Sequence, residues 1–271
     1  MSVFSFLKSK YVVRQHQKAK QQILRKTSSD ADNLDSLIDW KESLLHPTEF
    51  YLECFRFFNF KLPEDLKQHR AYFSTSGRGF GEDAFHVMWF LLFKKFRPVN
   101  FLEIGVYRGQ TLSLAALLQQ KNDLKPNVTG ISPFQSAGDS VSRYRKDVDY
   151  LEDTLANCRH FNLPEPKFLR AYSTDEAAIK LISSQRWDFI YIDGNHDYEI
   201  VQQDWQNCSE ALADGGIIVL DDSGQTTEYQ PPIFSTKGHP GPSRMAQEID
   251  RSKFREVLQV GHNRVFQKIE A

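Results

Sequence analysis

The chain is short of cysteine, of charge imbalance and of long apolar runs, and each shortage removes a class of protein. Its three cysteines, Cys54, Cys158 and Cys208, show no metal-type spacing, and an odd number leaves at least one thiol without an intrachain partner. A reduced, cytoplasmic setting is therefore expected. The formal net charge is −1, so no nucleic-acid binding by bulk electrostatics is expected. The strongest apolar run, Val87–Phe93, falls far short of the roughly 20 residues needed to span a bilayer. The apolar stretch from Val3 to Leu7 is too short for a secretory leader, and basic residues follow it instead of preceding it. No internal repeat or low-complexity segment is present. What remains, 271 residues of which 40% are hydrophobic, is enough for one large domain, or one domain with an appendage.

The most informative stretch that is present runs Phe101-Leu-Glu-Ile-Gly-Val-Tyr-Arg-Gly109. A short apolar run ends in Glu103, turns through Gly105 and Gly109, and opens into a helical pattern from Thr111 to Gln120. Strand, glycine turn and helix together form the nucleotide-sized crevice found at the carboxyl ends of α/β strands. In a dinucleotide fingerprint the second glycine lets the backbone approach a pyrophosphate. Here Tyr107 occupies that position, and its ring would block the approach. The E-x-G-x-x-x-G pattern instead suits a phosphate-free nucleoside, with S-adenosyl-L-methionine (SAM) the obvious ligand. An NAD-dependent dehydrogenase is disfavoured by the same tyrosine.

The chain changes character near residue 98. Before it the pattern is helical. Residues 8–26 carry seven basic residues and no acidic one, a helix that is either solvated or turned to an anionic partner. Leu34, Leu37, Ile38, Leu44 and Leu45 suggest a further helix. The aromatic density from Phe50 to Phe60 marks core or a subunit contact, which makes a homo-oligomer an open expectation. Ser74–Gly81 reads as a flexible loop near the crevice mouth, where Arg78 could clamp a carboxylate. Glu82–Phe96 reads as an apolar helix. The expected organisation is a helical extension over 1–80 and a sheet domain over 81–271.

From residue 98 strands and helices alternate. Strands are expected near 100–104, 127–132, 167–171, 188–193 and 216–221. Val141, Tyr144, Val148, Leu151, Leu155 and Cys158 step as one helical face, as do Tyr198, Val201, Trp205, Cys208 and Leu212. Ser173 and Glu176 match a capping box. Phe254–Val260 and Arg264–Ile269, joined by Gly261-His-Asn263, read as a terminal hairpin. The fold class is α/β, a doubly wound, mostly parallel sheet with an antiparallel edge strand.

The second informative segment is Trp187–Tyr198. A buried strand ends at Asp193 and the turn delivers His196, while the next strand, Gly216–Asp222, ends in two aspartates. If the strands are neighbours, three carboxylates converge on one rim, and such like charges call for a neutralising cation. Oxygen ligands of this kind favour Mg²⁺ or a similar divalent ion. Because strand residues alternate in direction, direct ligation by both Asp221 and Asp222 is left open. A neutral His196 could accept a proton from a substrate hydroxyl. The two-His-one-carboxylate set of Fe(II) oxygenases is not expected. His239, in the loop over 223–242, reads as a loop residue that could cover the site.

Together these segments resemble class I SAM-dependent methyltransferases over roughly residues 82–270. Tyr191–Tyr198 and Gly215–Asp222 most resemble the metal-dependent O-methyltransferases, in the branch of macrolide-sugar methyltransferases and cephalosporin-hydroxylase-like proteins. The resemblance implies a seven-stranded sheet of order 3-2-1-4-5-7-6. It implies SAM bound along Glu103, Gly105, Val106, Tyr107 and Gly109, with Ser132 at the ribose, Tyr172 and Ser173 near the adenine, and Asp193 also in contact with the cofactor. It implies a metal on Asp193, Asp221 and Asp222, and catalytic roles for Asp193 and, as base, His196. The substrate would be a small hydroxylated molecule, a sugar by analogy. A departure stands at Gly130-Ile-Ser-Pro-Phe134: Ser132 replaces the usual acidic ribose contact, and Asp139 is the neighbour that could substitute. The rival reading is a non-catalytic binding protein on the same fold.

Overall fold

A computed structural model describes residues 3–25 (side chains from 11 onward), 37, 39–75, 77–136 and 138–270. Leu34 and Ile38 of the expected second helix, and Lys26 of the basic segment, lie outside the described residues. The helices α1 (Val3–Arg25), α2 (Lys41–Leu45), α3 (Pro47–Phe60), α4 (Glu64–Ser74) and α5 (Asp83–Phe96) precede the first strand. Then follow β1 (Phe101–Ile104), α6 (Gln110–Lys121), β2 (Val128–Ser132), α7 (Tyr150–His160), β3 (Lys167–Arg170), α8 (Glu176–Ser183), β4 (Trp187–Ile192), α9 (Tyr198–Ala211), β5 (Leu212–Leu220), α10 (Pro240–Glu248), β6 (Phe254–Val260) and β7 (Asn263–Lys268). The seven strands form one sheet of order β3-β2-β1-β4-β5-β7-β6, with β7 antiparallel to both its neighbours. This is the sheet that the resemblance implies.

Alternation along the strands sends side chains into two cores. Phe101, Phe189, Tyr191, Ile217, Val219 and Val265 face a layer containing α3, α5 and α6. Leu102, Ile104, Ile190, Ile192, Ile218, Leu220 and Phe266 face α8, α9 and α10. The aromatic run of α3 belongs to the first of these cores, where Phe50, Tyr51, Phe55, Phe57 and Phe58 are all buried. Burial of each such side chain is worth on the order of 2 kcal/mol, so α3 and the sheet stabilise one another. Among the described residues no helix is long and apolar enough to cross a membrane.

Two local expectations are corrected. The helical face projected from Val141 begins only at Tyr150. Asp139 Oδ1 accepts the backbone N–H groups of Val141 (3.0 Å) and Ser142 (2.6 Å), a local turn that competes with helix. The helix starts where Asp149 Oδ1 caps the Glu152 N–H at 3.0 Å. The Ser173–Glu176 capping box does not form either. Asp175 precedes α8, and its carboxylate accepts the Tyr172 N–H at 2.8 Å.

Candidate active site

Register builds the site. Ile104 of β1 pairs with Ile192 of β4, and Ile192 pairs with Leu220 of β5. The residues that follow, Gly105, Asp193 and Asp221, therefore leave the sheet side by side. The ladder continues one step beyond the strands: Asp193 N–H donates to Ile104 O at 2.9 Å and Asp221 N–H to Ile192 O at 3.0 Å. Gly105 has φ +96°, and a Cβ there would sit 2.0 Å from the Asp193 carbonyl oxygen. Only glycine tolerates both the dihedral and the approach.

Two cavities open at these strand ends. The smaller, about 160 Å³, is lined by Gly105, Val106, Ser132, Tyr172 and Ser173 among others. The larger, about 710 Å³, is lined by Glu103, His196, Asp221, Asp222, His239 and His262, with aromatic walls that include Tyr51, Phe85, Trp89 and Phe234. Tyr107, Tyr144 and Asp193 line both cavities, so the two meet at Asp193. Gly109, at φ +76°, starts α6 and packs where a Cβ would strike Thr154.

Electrostatics divide the carboxylates. Burial, and then the neighbouring Asp221 and Asp222, hold the Asp193 carboxyl well above its ordinary range, and Asp193 and Asp221 are hydrogen-bonded to one another. Asp221 is raised by burial and by Asp222. Asp222 is lowered: burial opposes this, but the hydrogen bond from His196 and the charges of His262, His196 and His239 outweigh it. Burial pushes Glu103 up to about 8, and its Oε2 is buried without a hydrogen-bond partner.

Asp222 departs from strand alternation. Its φ of +51° is left-handed, which breaks the alternation. As a result both Asp221 Oδ1 and Asp222 Oδ1 face His262 Nε2, at 3.4 and 3.6 Å. The ligand atoms of Asp221, Asp222 and His262 lie within 4.8 Å of one another, as do those of His196, Asp222 and His239. Histidines thus stand among the candidate metal ligands, where the expected set is carboxylate alone, and a two-His-one-carboxylate grouping of His196, His239 and Asp222 is present. Asp193 falls outside both groupings.

His196 also differs from the neutral imidazole expected. Its Nδ1 lies 2.6 Å from Asp139 Oδ2 and its Nε2 lies 2.9 Å from Asp222 Oδ2. Burial opposes charge here, but the two carboxylates win and raise its pKa to about 9. At neutral pH both ring nitrogens donate. Asp139 also accepts the His196 backbone N–H at 3.0 Å, so both of its oxygens are engaged and it is not free to replace the ribose contact. Ser132 Oγ donates to Val106 O at 2.9 Å.

Arg78 lines neither cavity. Its guanidinium stacks over Tyr72 at 4.6 Å. Arg108 ties down the glycine loop instead, donating to Gly77 O at 3.0 Å while gripping Asp153 through two nitrogens. His239 does reach the rim, 3.6 Å from Asp222 Oδ2, with its ring centroid 4.4 Å from that of His196. The residue missed in the sequence is His262. The Gly261-His-Asn263 turn signals a hairpin, but only the β5–β7 pairing brings that turn to the aspartates.

Residues 102–223 match a family model described as a methyltransferase domain. The chain aligns in three dimensions with an O-methyltransferase from Bacillus cereus in complex with SAH (TM-score 0.52, 14% identity, covering 79% of this chain and 95% of that one). It also aligns with the SAH-bound methyltransferase PaMTH1 of Podospora anserina (0.53, 11%, 78% and 89%). This chain has a class I SAM-dependent methyltransferase fold. Cofactor-bound Rv0187 from MTB shares it over 90% of this chain and 99% of that one, at TM-score 0.51 and 12% identity. In sequence, the chain is 27% identical over 158 residues to the uncharacterized protein R132 of Acanthamoeba polyphaga mimivirus, covering 58% of this chain and 63% of that protein's length. The methyltransferase fold accounts for the position of the small cavity, at the carboxyl ends of β1 and β2.

Proposed function

We propose that this protein is a SAM-dependent O-methyltransferase that uses a divalent cation, Mg²⁺ or another, to methylate a hydroxyl of a small molecule. The observation that carries this reading is the meeting of the two cavities at Asp193, which joins the crevice at the ends of β1 and β2 to a carboxylate–histidine rim. The residues present fit SAM. Gly105 keeps the crevice floor clear and Tyr172 and Ser173 flank the adenine end, while Glu103, on the larger cavity with its Oε2 unpartnered, suits the ammonium of the methionine end. They also fit a divalent cation, which Asp221 and Asp222 would hold, with Asp193 beside them. Such an ion supplies Lewis acidity and lowers the pKa of a hydroxyl bound to it.

The chain's own residues do the rest. The aromatic walls of the larger cavity orient a ring-bearing acceptor, a sugar among the candidates, and exclude water. His196 Nε2 is the proton acceptor. In its neutral form, which burial favours and the two carboxylates oppose, Nε2 would take the substrate proton while Asp139 fixes the ring through Nδ1. Methyl transfer in line across the Asp193 boundary gains its rate from positioning.

The rival reading, a binding protein without catalysis, draws support from Ser132, whose hydroxyl is donated inward to Val106 O. The test is transfer of labelled methyl from SAM to a panel of sugars and phenols, with and without EDTA. Labelled ether that appears only with a divalent ion is expected. Full transfer in EDTA would remove the cation from the account, and failure to bind SAH at millimolar concentration would favour the rival.

A further inference from the structure

His262 reaches the rim from the opposite end of the chain to the SAM turn, and its setting differs from that of His196. Its Nδ1 lies 3.1 Å from the Thr236 carbonyl oxygen. A carbonyl can only accept, so Nδ1 carries the hydrogen in that bond. Its Nε2 points at Asp221 Oδ1 and Asp222 Oδ1, at 3.4 and 3.6 Å. Both separations exceed the 2.7–3.2 Å usual for an N–H···O hydrogen bond. His196, by contrast, meets Asp222 at 2.9 Å, a true hydrogen bond.

Separations of this size are those of donors arranged around an ion. Two donors each about 2.1 Å from a metal are about 3.0 Å apart at a right angle and about 3.4 Å apart at a tetrahedral one. The imidazole that donates one N–H to a backbone carbonyl and aims its other nitrogen at carboxylates has the outer contacts of a metal-bound histidine. An independent observation points the same way: Asp221 Oδ1 is buried and makes no hydrogen bond. Placement is rigid as well. The Ser223 N–H donates to His262 O at 2.9 Å, which pins the β6–β7 turn against the end of β5. A Cβ on Gly224 would lie 2.9 Å from the His262 Cα, so the two turns pack closely.

We propose that His262 Nε2, Asp221 and Asp222 form a mixed nitrogen–oxygen cation site that prefers a divalent first-row transition ion such as Mn²⁺ to Mg²⁺. An imidazole donor adds affinity for transition ions and little for Mg²⁺, which favours oxygen and keeps its water. His196 stays outside the site, because its two nitrogens are committed to Asp139 and Asp222. The inference deepens the cation role proposed above and rests on it.

The test uses the full chain stripped of metal and Mn²⁺ alone, with no SAM or acceptor, read by electron paramagnetic resonance. One bound Mn²⁺ with a ¹⁴N coupling is expected, and it should survive a tenfold excess of Mg²⁺. His262→Gln should abolish the coupling and weaken Mn²⁺ roughly tenfold or more, while His239→Gln should keep both. Circular dichroism checks that each variant is folded. If His262→Gln does not fold, the wild-type coupling, its persistence in His239→Gln and the Mg²⁺ competition decide. Mn²⁺ bound without ¹⁴N coupling, displacement by equimolar Mg²⁺, or a coupling that persists in a folded His262→Gln overturns the inference and leaves an all-oxygen Mg²⁺ site standing. No Mn²⁺ binding at all in the wild type overturns the cation role itself.

Discussion

His196 Nδ1 and Asp139 Oδ2 lie 2.6 Å apart, a charge-assisted contact between the β4–α9 turn and a loop 57 residues earlier in the chain. With Asp222 on the other nitrogen, the ring is held as an imidazolium, its pKa raised from 6.5 to about 9. A raised folded-state pKa stabilises the fold fully below the unfolded value, and the stabilisation is lost as pH rises through the folded one. In metal-free protein, His196 therefore contributes on the order of 3 kcal/mol below about pH 6, fading between pH 7 and 9. Urea midpoints for wild type and His196→Gln should differ at pH 6 and converge near pH 10. A constant difference across that range would contradict the assignment.

Glu103 gives a prediction of opposite sense, read through a ligand. Its carboxyl titrates near 8 because it is buried. A cationic ammonium beside it favours the carboxylate, so SAH affinity should rise with pH up to about 8 and then level. Glu103→Gln should flatten that profile and weaken SAH by 10- to 100-fold, the cost of a charged hydrogen bond. Titration calorimetry at pH 6.5, 7.5 and 8.5 checks both.

Gly105→Ala tests the backbone of the crevice. The added Cβ meets the Asp193 carbonyl at 2.0 Å, and the dihedral is itself strained for alanine. A loss of 2 kcal/mol or more in stability is expected, about the sum of a left-handed penalty and an overpacked contact. Thermal melting measures it. A variant with unchanged melting temperature and SAH affinity would show that the β1 turn and Asp193 do not touch.

Much of the fold was legible because its signals are local. The apolar runs at Phe101, Phe189 and Ile217 and the glycines at 105 and 109 announce strands and a crevice without reference to the rest of the chain. The convergence of Asp193, Asp221 and Asp222 follows once β4 and β5 are neighbours. What escaped depended on geometry that the chain does not write locally. Asp222 adopts a left-handed φ that alternation gives no reason to expect. Asp139 reaches His196 from a loop with no period. His262 becomes a site residue only when β7 inserts between β5 and β6. The N-terminal aromatics were ambiguous for the same reason: core and subunit contact share one composition, and packing of α3 against α5 and β6 decides for core.

Whether the adenosyl crevice abuts the aspartate rim is settled by a crystal structure with SAH. The adenosyl group is expected in the cavity between Gly105, Ser132 and Tyr172, with the sulfur beside Asp193 and facing the larger cavity. SAH bound elsewhere, or with its sulfur turned away from Asp193, would contradict that placement.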